Sequence, residues 1–278
     1  MERSRAWEVM DTDCLSNIFR RLDVDDRVLA IPFVCKSWYH ASIDPLCWLL
    51  LDLRPLDFMP RSPFALRFTK EYSLQPFAFT FSGFLKLVVH RSQGLASHLM
   101  FPLVFGPSLD DLVFSSKKCS SLKTLVLPRL EQEAENQLPE LIKHWKDLEE
   151  LEMESKPSSF LELVAQISVH CDKFSGLKMF GHIRMEDSWA LVNSLPKLKC
   201  LNLSKSCMSK EELMVMIEGL REMESLIVNE CIGFQVDDEV KRRSLSIQNF
   251  EYEGCELRVD DAFDTHEFDC LHVFGLWG

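Results

Sequence analysis

The sequence predicts an α/β chain in which three short N-terminal helices are followed by a curved solenoid of strand–helix repeats. Three observations carry that reading. A Leu-x-x-Leu-x-Leu template, with any apolar residue allowed, recurs at spacings of 24 to 26 residues from Leu122 onward. Between its copies lie patterns with apolar residues at i, i+3 and i+4. The first fifty residues do not share this period and read as short amphipathic helices instead.

In the first helix Leu15, Ile18, Phe19 and Leu22 fall on one stripe, with Asp11, Thr12 and Asp13 as N-cap candidates. Asp25 or Asp26 caps a second helix carrying Val28, Leu29 and Ile31, and Pro32 ends it at Ile31. A third helix places Val34, Cys35, Trp38 and Ser42 along one side and stops before Pro45. A unit of about 45 residues has little interior, so its apolar side chains must pack on the rest of the chain or meet a partner.

The repeats begin at Leu122, Leu148, Phe174, Leu198, Met223 and Ile247, with a weaker match at Leu271. Three residues before the first five starts lie Cys119, Trp145, Cys171, Leu195 and Leu220, all apolar. The helical patterns between them are Leu138, Leu141, Ile142, Trp145; Phe160, Leu163, Val164, Ile167; and Leu213, Met216, Ile217, Leu220. Ser159 with Glu162 and Ser209 with Glu212 read as capping boxes. Upstream, "WLLLDL" from Trp48 and "FLKLVV" from Phe84 also fit the strand template, and the stretch "SQGLASHLMFPLVFGPS" reads as an insertion. The chain thus divides into a helical unit (7–52), irregular early repeats (53–118), regular repeats of about 25 residues (119–255) and an acidic C-terminal end carrying the weak last repeat (256–278).

Composition excludes several roles. No apolar run approaches the ~20 residues that span a bilayer, and the N-terminus lacks the apolar core of a secretory signal, so an intracellular protein of nucleus or cytoplasm is expected. Ten cysteines are scattered without a CxxC pair, which argues for reduced structural thiols and against a metal. The net charge is −12, and "KRR" at 241–243, the only basic triplet, reads as a solvated helix face, so no nucleic-acid partner is expected. There is no GxSxG, GxGxxG, P-loop or HExxH motif, and His170-Cys171 are neighbours that point different ways on a helix. The segment 260–269 lacks the glycine and ligand order of a calcium loop. No catalytic residue and no cofactor are expected.

Residues 7–52 resemble the F-box family. Asp13, Leu15, Ile18 and Leu22 match the first half of its pattern; Val34, Cys35, Lys36, Trp38, Pro45 and Trp48 match the second. The family's Leu-Pro falls on Met10-Asp11, where the proline is replaced. The resemblance implies docking on the Skp adaptor, and through it the cullin, of a ubiquitin ligase. Met10, Leu15, Ile18, Leu22, Val34, Cys35 and Trp38 are the implied adaptor contacts. The 25-residue unit resembles the leucine-rich repeat of ribonuclease-inhibitor or cysteine-containing type. Alternation along each strand puts the residues between the leucines on the concave face. Those named for target-protein contact are Thr124, Val126, Glu150, Glu152, Glu154, Lys178, Phe180, Asn202, Ser204, Ile227 and Asn229. With them lie Gly176, Cys200 and Ser225. The expected function is target recognition for a Skp–cullin–F-box ligase. The alternatives are a repeat scaffold or inhibitor that recruits no ligase, and a small-ligand co-receptor, which would need a basic concave pocket where only Lys178 is found.

Overall fold

The computed structural model describes residues 7, 10–75, 78–104 and 106–257. The weak repeat at Leu271 and the acidic segment 260–269 lie outside them. The chain forms two compact units. The first runs to Ala134 and takes back His144–Leu148; the second holds Glu135–Lys143 and the residues from Glu149 onward.

The first unit opens with α1 (Thr12–Phe19), α2 (Val24–Leu29) and α3 (Lys36–Ser42). Asp11 caps α1, its carboxylate accepting from Asp13 N at 2.9 Å. Asp23 rather than Asp25 or Asp26 stands at the N-cap of α2, and the latter two occupy its first turn. Pro32 sits in a 3₁₀ turn, Ile31–Phe33, that separates α2 from α3. Val34 and Cys35 therefore precede α3 instead of lying on it.

A second 3₁₀ turn, Pro45–Trp48, leads into β1 (Leu50–Asp52), so Trp48 stands before the strand. Then come α4 (Pro63–Glu71), α5 (Phe81–Ser92), β2 (His98–Met100), α6 (Leu109–Lys118) and β3 (Thr124–Leu127). The strands pair in parallel, β1 with β2 and β2 with β3. The expectation of a strand at "FLKLVV" is overturned, because this stretch lies within the twelve-residue helix α5. Phe84, Leu85, Val88 and Val89 are its buried stripe, and Thr80 caps it by accepting from Gly83 N at 3.1 Å. The strand lies in the stretch expected to be an insertion, where Ala96, Leu99 and Phe101 fill the three template positions and are all fully buried. The connection from β1 to β2 is filled by α4 and α5, which share a cluster of phenylalanine rings from Phe58 to Phe84.

The helix α7 (Gln132–Ile142) contributes residues to both units. The second unit continues with β4 (Glu150–Met153), α8 (Phe160–His170), β5 (Gly176–Lys178), α9 (Met185–Ser194), β6 (Cys200–Asn202), α10 (Lys210–Gly219), β7 (Ser225–Ile227), α11 (Asp238–Arg243) and β8 (Asn249–Glu251). Strands β4 to β8 pair in parallel in chain order. The second template leucines, Leu177, Leu201 and Leu226, are buried, and so are Cys171, Leu195 and Leu220, three places before the repeat starts. Ser209 and Glu212 form the expected capping box. Ser159 does not, because its hydroxyl donates instead to Glu135 O at 2.7 Å. Asp187, 2% exposed, accepts from Arg184 N at the start of α9 and from Lys156 Nζ at 2.6 Å. A buried carboxylate is held this way by a cation and a backbone donor together. The basic triplet 241–243 lies exposed in the last turn of α11, as expected.

Candidate functional site

Helix α1 divides its apolar residues between two faces. Leu15 and Phe19, one turn apart, are 0% and 1% exposed, whereas Ile18 is 39% exposed, and Leu22, expected on the same helix, lies in the bend after it at 37% exposure. Leu15 is thus a core residue of the helical unit, which corrects its assignment as a docking contact: α1 packs on α3 along this face, and nothing of Leu15 reaches the surface. Beyond the 3₁₀ turn, Phe33 and Val34 are 46% and 56% exposed, and Tyr39, Ile43 and Leu46 are exposed as well. Three helices of eight residues or fewer enclose too little volume to hide this surface. Cys35 is half-buried with its Sγ 3.1 Å from Ser37 Oγ, and Met10 is half-exposed. Trp38 is half-buried: its ring lies 5.1 Å from that of Phe19, and its Nε1 donates to Trp7 O at 3.2 Å.

In the second unit the residues between the template leucines form three rows across the strands. Glu150, Gly176, Cys200, Ser225 and Asn249 are register partners in one row; Glu152, Lys178, Asn202, Ile227 and Glu251 in the next. Glu154, Phe180, Ser204, Asn229 and Glu253 continue the alternation two residues on. Of these, only Gly176 is buried, because the Glu150 side chain lies over it. Lys178 Nζ is tied to Glu152 Oε1 at 2.6 Å. At the other end Asn249 and Asn229 each donate to Glu251, at 3.0 and 3.2 Å. In the first unit Thr124 is half-exposed, but Val126 is only 4% exposed, which corrects its place among the target contacts. The chain leaving β2 stays against that end of β3: Phe101 N donates to Val126 O, and Gly106 backs on Pro128. Asn249, Glu251 and Glu253 complete the rows yet were not among the residues named from sequence. Tyr252 in an apolar template place weakened that repeat, and extending the period by 24 would have found them.

The thiols are chemically sorted by burial. Cys119 and Cys171 are buried, and burial pushes each up to about 12. Cys171, beside His170, is therefore a core thiol, unsuited to be a nucleophile at neutral pH. Cys255 is held below the usual thiol range by a hydrogen bond from Cys231, whose own ionisation is correspondingly opposed. Because the thiolate is the reactive species, iodoacetamide titration of the native chain will modify Cys255 well before Cys119 or Cys171 as pH is raised. Peptide mass mapping checks this, and equal labelling of Cys171 at pH near 8 would refute the assignment. Among the described residues no three His, Cys, Asp or Glu side chains are placed to hold a metal, and no helix is long and apolar enough to cross a membrane.

The F-box domain model matches residues 7–50. An F-box/LRR-repeat protein of Arabidopsis thaliana is 29% identical over 255 residues, covering 87% of this chain and 79% of that protein. F-box protein FBW2 of the same plant is 24% identical over 84% of this chain and 71% of its own length. F-box protein SKIP19, also of Arabidopsis thaliana, is 23% identical over 86% and 74%. The solved leucine-rich-repeat ectodomain of the plant receptor kinase GASSHO1/SCHENGEN3, from Arabidopsis thaliana, aligns at 13% identity with a TM-score of 0.33, over 61% of this chain and 22% of that one, too distant to bear on the fold. Residues 7–50 match the F-box domain, parallel strand–helix repeats follow them in the chain, and over most of its length the chain is similar to F-box/leucine-rich-repeat proteins.

Proposed function

We propose that the chain is the target-recognition subunit of a Skp–cullin–F-box ubiquitin ligase, working in the nucleus or cytoplasm. The F-box docks on the Skp adaptor, which bridges to the cullin, and a curved solenoid of ribonuclease-inhibitor or cysteine-containing type holds the target. The observation that carries this reading is the exposed apolar set Ile18, Leu22, Phe33 and Val34 on the F-box, which a partner would cover. An F-box implies binding to a Skp adaptor in general. The chain itself makes and breaks no bonds; acceleration comes from the high effective concentration of target lysines near the charged conjugating enzyme. Purified chain and adaptor are expected to co-elute as a one-to-one complex on size exclusion. Separate elution at micromolar concentration would favour the alternative, a repeat scaffold that recruits no ligase.

A further inference from the structure

Cys231 and Cys255 fill the same place in consecutive repeats of the second unit. Each follows a residue in the left-handed region, Glu230 at φ 56° and Gly254 at φ 73°. The residues after them, Ile232 and Glu256, are parallel bridge partners, and Glu256 N donates to Cys231 O at 3.0 Å. The side chains repeat as well. Cys231 Sγ lies 3.2 Å from Leu203 O, and Cys255 Sγ lies 2.9 Å from Val228 O, the equivalent carbonyl one repeat on. Equivalent residues on neighbouring strands stand about 4.8 Å apart. A disulfide joins Cα atoms roughly 4.4–6.8 Å apart, so this pair can close by side-chain rotation alone.

The placement is particular to these two thiols. Cys200 has Gly176 and Ser225 as register partners, and Cys207 has His182 and Ile232. Ser206 holds the equivalent place one repeat before Cys231, fully buried, its hydroxyl accepting from Gly181 N at 3.2 Å. A hydroxyl thus meets the packing demand there, whereas a sulfur adds a site of oxidation. The two thiols also differ in access: Cys231 is fully buried and Cys255 half-exposed. The hydrogen bond from Cys231 holds the Cys255 pKa at about 7, so thiolate is abundant at neutral pH.

We propose that Cys255 and Cys231 form a reversible oxidation site, joined as a disulfide by hydrogen peroxide and reopened by a dithiol. It holds whether or not the chain recruits a ligase. The Cys255 thiolate attacks one peroxide oxygen and the O–O bond breaks. The departing hydroxide takes up the proton that Cys255 released, giving water and a sulfenic acid. The Cys231 sulfur then attacks the Cys255 sulfur. The S–S bond forms, the S–O bond breaks, and hydroxide leaves with the Cys231 proton as water. Together the thiols lose two electrons, and one peroxide becomes two waters. The bond encloses α11 and β8 in a covalent loop and fastens β8 to the repeat before it.

The test uses the full reduced chain, treated with one equivalent of hydrogen peroxide, alkylated and digested with trypsin without reduction. Cleavage after Arg221, Lys241, Arg243 and Arg258 puts Cys231 in peptide 222–241 and Cys255 in peptide 244–258. The expected product is these two peptides linked, lighter by two hydrogens than their sum, and separated by dithiothreitol. This link should be the principal disulfide of the native chain and should lose that place when oxidation is run in urea. In Cys231→Ser, which copies the residue at Ser206, the link is lost and dimedone should trap the Cys255 sulfenic acid instead. Native chain in which Cys255 joins chiefly another cysteine, or joins none, would overturn the proposal. So would a folded Cys231→Ser chain that gives no dimedone adduct at Cys255. Mapping of the unmodified chain decides the matter even if that variant does not fold.

Discussion

Replacing Trp48 with alanine should cost about 4 kcal/mol of stability, the largest single loss expected in the F-box region. Trp48 is fully buried, and its Nε1 donates to Ser42 O at 2.8 Å. Two guanidinium groups also lie over the ring, Arg27 at 5.2 Å and Arg91 at 4.9 Å from its centroid. Arg27 is itself 2% exposed, and burial brings its ionisation down to about 10, so it remains charged at neutral pH. It donates to Cys47 O and to Leu50 O, carbonyls on either side of Trp48. Removing the indole therefore leaves a cavity and also strips a buried cation of one aromatic face. A melting temperature lower by about 10 °C follows for a chain of this size. Trp48→Phe separates the parts: it retains most of the ring and loses the Nε1 bond, and should cost about 1–2 kcal/mol. Denaturant unfolding of both variants checks the order. A loss below about 1 kcal/mol for the alanine variant would show that this tryptophan does not close the joint between the helices and the first strand.

The periodic part of the fold was legible because each repeat states the same constraint. Leu122, Leu125 and Leu127 are buried for the reason that Leu198, Leu201 and Leu203 are: a strand alternates, and its inward leucines meet those of the next repeat. Legibility failed where one apolar run satisfies two periods at once. Phe84, Leu87 and Val89 fit the strand template, while Phe84, Leu85, Val88 and Val89 fit a helix face, and the cap at Thr80 decides for the helix. The strand β2 was hidden because its first template place is Ala96, inside a stretch with the Gln93-Gly94 turn. In the F-box the stripe of α1 was visible, but not which of its residues turn inward. That depends on where α3 lies, a fact of packing that no local pattern contains.

That division between inward and outward residues makes the second prediction sharp. Val34→Asp should weaken adaptor binding by about 2 kcal/mol or more, roughly thirtyfold, with the melting temperature nearly unchanged. Val34 is 56% exposed, so the substitution buries no charge in the free chain, and surface changes of this kind stay within about 0.5 kcal/mol of stability. In a complex the same carboxylate would be desolvated without a partner, which is where the loss arises. Ile18→Asp, at 39% exposure, should act in the same direction. Leu15→Ala gives the contrasting signature: it is fully buried, so its adaptor affinity should fall only in proportion to about 2–5 kcal/mol of lost stability. Calorimetric titration with purified adaptor, paired with thermal unfolding of each free variant, distinguishes the two behaviours. If Val34→Asp binds within about threefold of the parent chain, the exposed set is not the adaptor surface. Its apolar residues would then need another occupant, because an F-box of three short helices has no interior left in which to hide them.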